Sequence, residues 1–97
     1  MYYVYYIRSI SEPAQTYCGA TEDLNQRIHD HNAGKSKHTA KYLPWELEFY
    51  IGFPDKTRAY EFETYLKSHS GRAFLNKRLV RKSENETFVT HPKISTP

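Results

Sequence analysis

The chain has 97 residues and a formal net charge of +3, a length that fits one small domain able to bury roughly 60–65% of its unfolded surface and leaves no room for a second. Only 38% of residues are hydrophobic, but nine tyrosines, five phenylalanines and Trp45 make the core largely aromatic. A single cysteine, Cys18, excludes an internal disulfide and points to a reducing, cytoplasmic setting.

Met1 to Ile7 is apolar but lacks a basic flank, is too short to span a membrane and runs straight into Arg8, so it reads as a first strand over residues 2–8. Ser9 to Gln15, with Pro13, supplies turn chemistry before a second strand at about Thr16–Ala20, making a hairpin. Thr21 or Asp23 can cap a helix over 22–33, in which Leu24, Ile28 and His31 recur at helical spacing until Asn32-Ala33-Gly34. A lysine-bearing loop follows to Pro44. Trp45, Leu47, Phe49, Ile51 and Phe53 then alternate with Glu46, Glu48, Tyr50 and Gly52 as a third strand.

Pro54-Asp55 ends that strand and offers an N-cap for a second helix at 56–68, marked by Ala59, Phe62 and Leu66. Ser70-Gly71 predicts a break, and Ala73, Phe74, Leu75 and Leu79 a third helix ending near Arg81. Residues 83–97 are polar and read as a loosely held tail behind a domain of residues 1–82. The order β-β-α-β-α-α belongs to the α+β class, an antiparallel sheet packed by helices.

Charge is unevenly placed. Lys67 to Ser83 holds six basic residues and no acid, and His31 to Trp45 holds Lys35, Lys37 and Lys41, again with no acid. Each patch is either a solvated surface or a contact for phosphates.

Three constellations could carry chemistry. Arg27 and His31, four residues apart on the first helix, project side by side; the planar guanidinium suits two phosphate oxygens and His31 a hydrogen bond or proton relay, whereas His29 points away. Glu63 follows Ala59 by four and precedes Leu66 by three, which sets an acid beside an apolar helix face. It either pairs with Lys67 at i+4 or binds a hard divalent ion such as Mg²⁺, with Glu61 pointing elsewhere. Tyr5 and Tyr17, one on each hairpin strand, fall on one face, either as core or as phenols with a lowered pKa that orient or deprotonate a water. Zinc spacings, a phosphate-cradling glycine loop and a serine nucleophile elbow are all lacking, which argues against zinc, nucleotide-cofactor and serine-hydrolase chemistry.

With these residues in place, Tyr2 to Leu79 resembles the GIY-YIG nuclease superfamily, and within it the small stand-alone bacterial excinuclease-like domains. Tyr3-Val4-Tyr5 stands for the first tripeptide and Tyr17-Cys18-Gly19 for the second, with eleven residues between Tyr5 and Tyr17. Arg27 and His31 follow Gly19 by eight and twelve. His31-Asn32-Ala33-Gly34-Lys35, Pro44-Trp45-Glu46-Leu47 and the step from Ala59 to Glu63 are similar to the same subgroup. Tyr3 replaces the glycine of the first motif and Cys18 the isoleucine of the second, and neither change removes a reactive group.

The resemblance implies a three-stranded antiparallel sheet flanked by helices and a DNA endonuclease, structure-specific and active in repair or recombination, that uses one divalent metal, Mg²⁺ or Mn²⁺. In that picture Glu63 ligates the metal, Tyr17 or Tyr5 activates or positions water, Arg27 stabilises phosphoryl charge and His31 assists proton movement. Lys35 and Lys37 follow the DNA backbone and Gly19 leaves room for close approach; Asn76 is the candidate for the family's C-terminal asparagine. The implied partner is DNA, with RNA also open, no membrane, and the protein a monomer or weak homodimer. The competing expectation is a nucleic-acid-binding module of the same fold that cuts weakly or not at all.

Overall fold

The computed structural model describes residues 1–79. Strands β1 (Tyr2–Ser9), β2 (Thr16–Thr21) and β3 (Trp45–Phe53) form an antiparallel sheet in the order β2-β1-β3, so the first strand of the chain is the central one. Helices α1 (Leu24–Asn32), α2 (Lys56–Lys67) and α3 (His69–Phe74) complete the domain, with α3 running on into a π turn over Leu75–Leu79. The α+β class and element order agree with the sequence reading. The third helix's end near Arg81 and the tail at 83–97 lie outside the described residues. Among the described residues no helix is long and apolar enough to cross a membrane.

A central strand covered on both sides explains why Val4, Tyr5, Tyr6 and Ile7 are all buried in succession. Val4 and Tyr6 pack with Ala59, Leu66 and Leu75 under α2 and α3, whereas Tyr5 and Ile7 pack with Trp45, Leu24 and Ile28 under α1. The sheet therefore separates two small cores, and its α1 side carries Tyr5, Tyr17 and Gly19, paired as Tyr5↔Gly19 and Ile7↔Tyr17.

Strict alternation along β3 would put its five apolar residues on one face. Instead Tyr6 pairs with Phe49 and Ile7 with Leu47, leaving Glu48 as the extra residue of a β-bulge. The bulge flips the register, so Trp45 joins the α1-side core while Phe49 and Phe53 join the other. Arg8 grips the bulged Glu48 in a two-pronged pair, Nε to Oε2 at 3.1 Å and Nη2 to Oε1 at 3.2 Å.

The helices begin on polar caps, Asp23 accepting from the Gln26 amide and Asp55 from that of Arg58. The expected break at Ser70-Gly71 falls earlier, at Ser68, which closes α2 and caps α3 by accepting from the Gly71 amide. Gly71 lies inside α3 and is buried, because a Cβ there would collide with the Tyr65 carbonyl. Its small size, not helix breaking, is what the position requires. Gly71→Ala is expected to cost about 2 kcal/mol or more through forced displacement of α3, read as a lower urea midpoint at unchanged slope.

Candidate active site

Tyr5 is 1% exposed at the centre of the sheet, and its ring lies across the gap that Gly19 leaves on β2. A Cβ at Gly19 would sit 2.5 Å from the Tyr5 Oη. The room at Gly19 is thus filled by a phenol of the same chain, which it lets reach over the edge strand.

The Tyr5 Oη is the hub of a buried polar chain. Arg27 Nε donates to it at 3.2 Å, and it lies 2.8 Å from His31 Nε2. His31 Nδ1 in turn lies 2.8 Å from Thr39 Oγ1, and the Thr39 carbonyl accepts from Trp45 Nε1 at 2.8 Å. His31 and Thr39 are completely buried. Tyr17 completes the group, its ring centroid 5.1 Å from that of His31 and 6.4 Å from that of Tyr5, and it remains half-buried at the mouth. Tyr5, Tyr17, Arg27 and His31 are thereby brought together by one hairpin and one helix.

Burial, helped by the nearby Arg27 charge, pushes His31 down to about 4, so the imidazole is neutral at physiological pH. A neutral ring gives its two nitrogens opposite roles. With Nδ1 protonated, His31 donates to Thr39 and accepts the Tyr5 hydrogen; with Nε2 protonated, Tyr5 accepts and its own hydrogen is free to point outward. In both, Tyr5 keeps its proton, because burial raises it to about 12 against the lowering effect of Arg27. The sequence left this phenol either as core or as a group with a lowered pKa, and for Tyr5 the structure takes the first alternative. Tyr5 is raised because desolvation at the sheet centre outweighs one cation. It is a fixed positioning group in this structure, and Tyr17, half-buried and in hydrogen-bond reach of Arg27, is the more exposed of the two tyrosines.

Glu63 stands on α2, on the opposite side of the sheet, but close enough to edge strand β2 for its charge to help raise both Tyr5 and Cys18. Its side chain is 19% exposed, and Oε2 lies 2.8 Å from Lys67 Nζ, the i+4 pairing that the sequence offered as the structural alternative. Among the described residues no group of three or more His, Cys, Asp or Glu could hold a metal. A hard ion such as Mg²⁺ that keeps most of its waters needs only one or two protein carboxylates, and Glu63 offers one, already paired with Lys67.

Lys35 lies 3.6 Å from Asp30, which is drawn below the usual carboxylate range by Gln26 and then Lys35, and Lys37 is exposed on the same loop. His29, Glu61 and Asn76 are exposed and take no part in the buried chain. Sequence reasoning missed Thr39 and the locking role of Asn32, whose side chain accepts from the Trp45 amide at 2.6 Å and donates to the Trp45 carbonyl at 3.0 Å. Thr39 sits in a polar loop without periodicity, so nothing in its neighbours marks it.

Residues 1–78 match the family model described as the GIY-YIG catalytic domain. A structure-specific endonuclease subunit SLX1 from Malassezia globosa is 40% identical over 78 residues, covering 74% of this chain but 17% of that protein. The SLX1 protein of Mycosarcoma maydis is 36% identical and covered over 12% of its length, so the chain spans a small part of these relatives. A UPF0213 protein from Lacticaseibacillus paracasei is 37% identical over 67 residues, 68% of this chain and 73% of that one. The solution NMR structure of a UPF0213 protein from Bacillus halodurans aligns with a TM-score of 0.47 and 31% identity over 79% of this chain and 84% of that one. The family match runs from the first residue to the π turn and takes in both tyrosine motifs, Arg27, His31 and Glu63, and on that ground the chain belongs to the GIY-YIG catalytic domain family.

Proposed function

We propose that the domain is a divalent-metal-dependent endonuclease that hydrolyses DNA phosphodiester bonds and selects substrates by DNA structure, in repair or recombination. The observation that carries this reading is the chain Arg27–Tyr5–His31–Thr39, which has the half-buried Tyr17 packed beside it. A cation tied to one phenol and set beside a second, less buried one is what phosphoryl transfer needs from a protein, since positioning and charge stabilisation do most of the work.

In this reading Arg27, its Nε committed to Tyr5, offers its terminal nitrogens to phosphate oxygens and stabilises the charge that develops there. Tyr5 holds that guanidinium in place, and His31 and Thr39 hold Tyr5. Tyr17 accepts a hydrogen bond from the attacking water. Glu63 would hold Mg²⁺ or Mn²⁺, which when bound supplies Lewis-acid polarisation and charge neutralisation. Lys35 and Lys37 contact the backbone away from the cut. The SLX1 relatives are named structure-specific endonuclease subunits, which supports the choice of branched or nicked DNA over a sequence-defined site.

The test is incubation of the purified protein with nicked, flapped, branched and plain duplex DNA, and a matching RNA, in Mg²⁺, Mn²⁺ or chelator. Cutting of a structured DNA that needs metal and is lost in Glu63→Ala is expected. The weak or inactive binding module is favoured by the Lys67 ammonium already neutralising Glu63, and it prevails if the protein binds these DNAs at low salt but cuts none of them.

A further inference from the structure

Lys67 is more than a helix-surface partner for Glu63. An exposed Glu–Lys pair at i+4 contributes only a few tenths of a kcal/mol to a helix, yet this one falls on the carboxylate assigned above to the metal. Nζ lies 2.8 Å from Oε2, so a divalent cation arriving at this carboxylate meets a resident ammonium whose like charge repels it and which holds one of the group's acceptor sites. The two partners are unequally free to move, because the Glu63 side chain is 19% exposed and that of Lys67 55%.

Lys67 also has somewhere to go. It lines a cleft of about 310 Å³ between β2 and the α2–α3 corner, together with Thr16, Tyr17 and Arg72 over an apolar floor of Leu66 and Leu75. The lining holds two cations and no carboxylate, and it includes Tyr17 itself, so it opens directly beside the reactive group. Its chemistry is that of an anion subsite at one end of the proposed cleavage site.

We propose that Lys67 is an exchangeable counter-ion: it holds Glu63 in the metal-free protein and, when a divalent cation takes that oxygen, turns to a backbone phosphate of the substrate in the cleft beside Arg72. The inference rests on the metal role of Glu63 proposed above. By linkage, each of the two ligands that share Lys67 favours the other: metal frees the lysine for phosphate, and phosphate draws it from the carboxylate.

The experiment measures Mn²⁺ affinity by electron paramagnetic resonance on the DNA-free protein, and affinity for a labelled nicked duplex by fluorescence anisotropy in non-cleaving Ca²⁺. Variants are Lys67→Met, Lys67→Arg, Glu63→Gln and, as a measure of simple charge loss from the far end of α2, Lys56→Met. Lys67→Met is expected to bind Mn²⁺ about three- to tenfold more tightly, through loss of the competing pair and of its repulsion. Lys67→Arg should stay close to the parent protein. The same Lys67→Met change should weaken duplex binding about threefold, and by more than Lys56→Met does.

Mn²⁺ affinity that is unchanged or lower in Lys67→Met overturns the proposal, as does a loss of duplex binding no greater than that of Lys56→Met. Glu63→Gln separates the two levels of inference. If it weakens Mn²⁺ while Lys67→Met has no effect, the exchange alone is wrong; if it too leaves Mn²⁺ unaffected, the metal role of Glu63 falls with it.

Discussion

Arg27→Ala is expected to lower kcat/KM for cleavage of a structured DNA by about a hundredfold or more, with far less effect on duplex affinity. Loss of one well-aimed charge donor at a reacting oxyanion costs about 3 kcal/mol of transition-state stabilisation. Here the same side chain also fixes Tyr5 through the 3.2 Å contact from Nε, so its removal frees the phenol as well as deleting the charge. Arg27→Lys should recover little, because a single ammonium cannot donate to Tyr5 and to a phosphate with the fork geometry of a guanidinium. Single-turnover cleavage and anisotropy on the same substrate separate the two effects. An Arg27→Ala protein that cuts at the parent rate would remove Arg27 from the reaction.

The second large effect is on stability, and its sign follows from His31. The folded pKa is lowered to about 4 from an ordinary 6.5. Above pH 6.5 both folded and unfolded chains hold this residue neutral, and the stability it contributes is fully present. As pH falls below 6.5 the unfolded chain takes up a proton that the native site refuses, so stability declines until about pH 4, where the folded imidazole protonates as well. The loss across that window is expected to be on the order of 2 kcal/mol, below the full value of the shift because neighbouring Arg27 is partly solvated. Urea denaturation at intervals from pH 7.5 to 4 measures it. His31→Gln should be less stable throughout, since Tyr5 and Thr39 lose their shared partner, but should show a flatter profile between pH 6.5 and 4. A parent protein whose stability does not change over that range would mean that His31 titrates normally.

Both effects depend on a pair of residues that the sequence could place and an environment that it could not. Tyr5 and Tyr17 share a face because side chains alternate along a hairpin, and Arg27 stands beside His31 because four residues make about one helical turn. Those are local rules. The direction of the Tyr5 shift is not local: desolvation by the packed sheet and helix competes with the Arg27 charge, and only the assembled core decides which wins. Thr39 escaped notice for the same reason, since its hydroxyl is buried only once the loop folds over α1 and Trp45 anchors it.

The sequence by itself determined the element order, the two tyrosine motifs, the Arg27/His31 helix face and the Glu63–Lys67 step, because strand and helix periods and i+4 contacts are set by the backbone alone. Tertiary structure decided the rest. It made β1 the central strand, flipped β3 at Glu48, placed Gly71 inside α3 against the Tyr65 carbonyl, and packed α2, which carries Glu63, on the other face of the sheet from α1. The physical reason is that each of these depends on which distant segments meet, through packing volume and desolvation that no short window of residues contains.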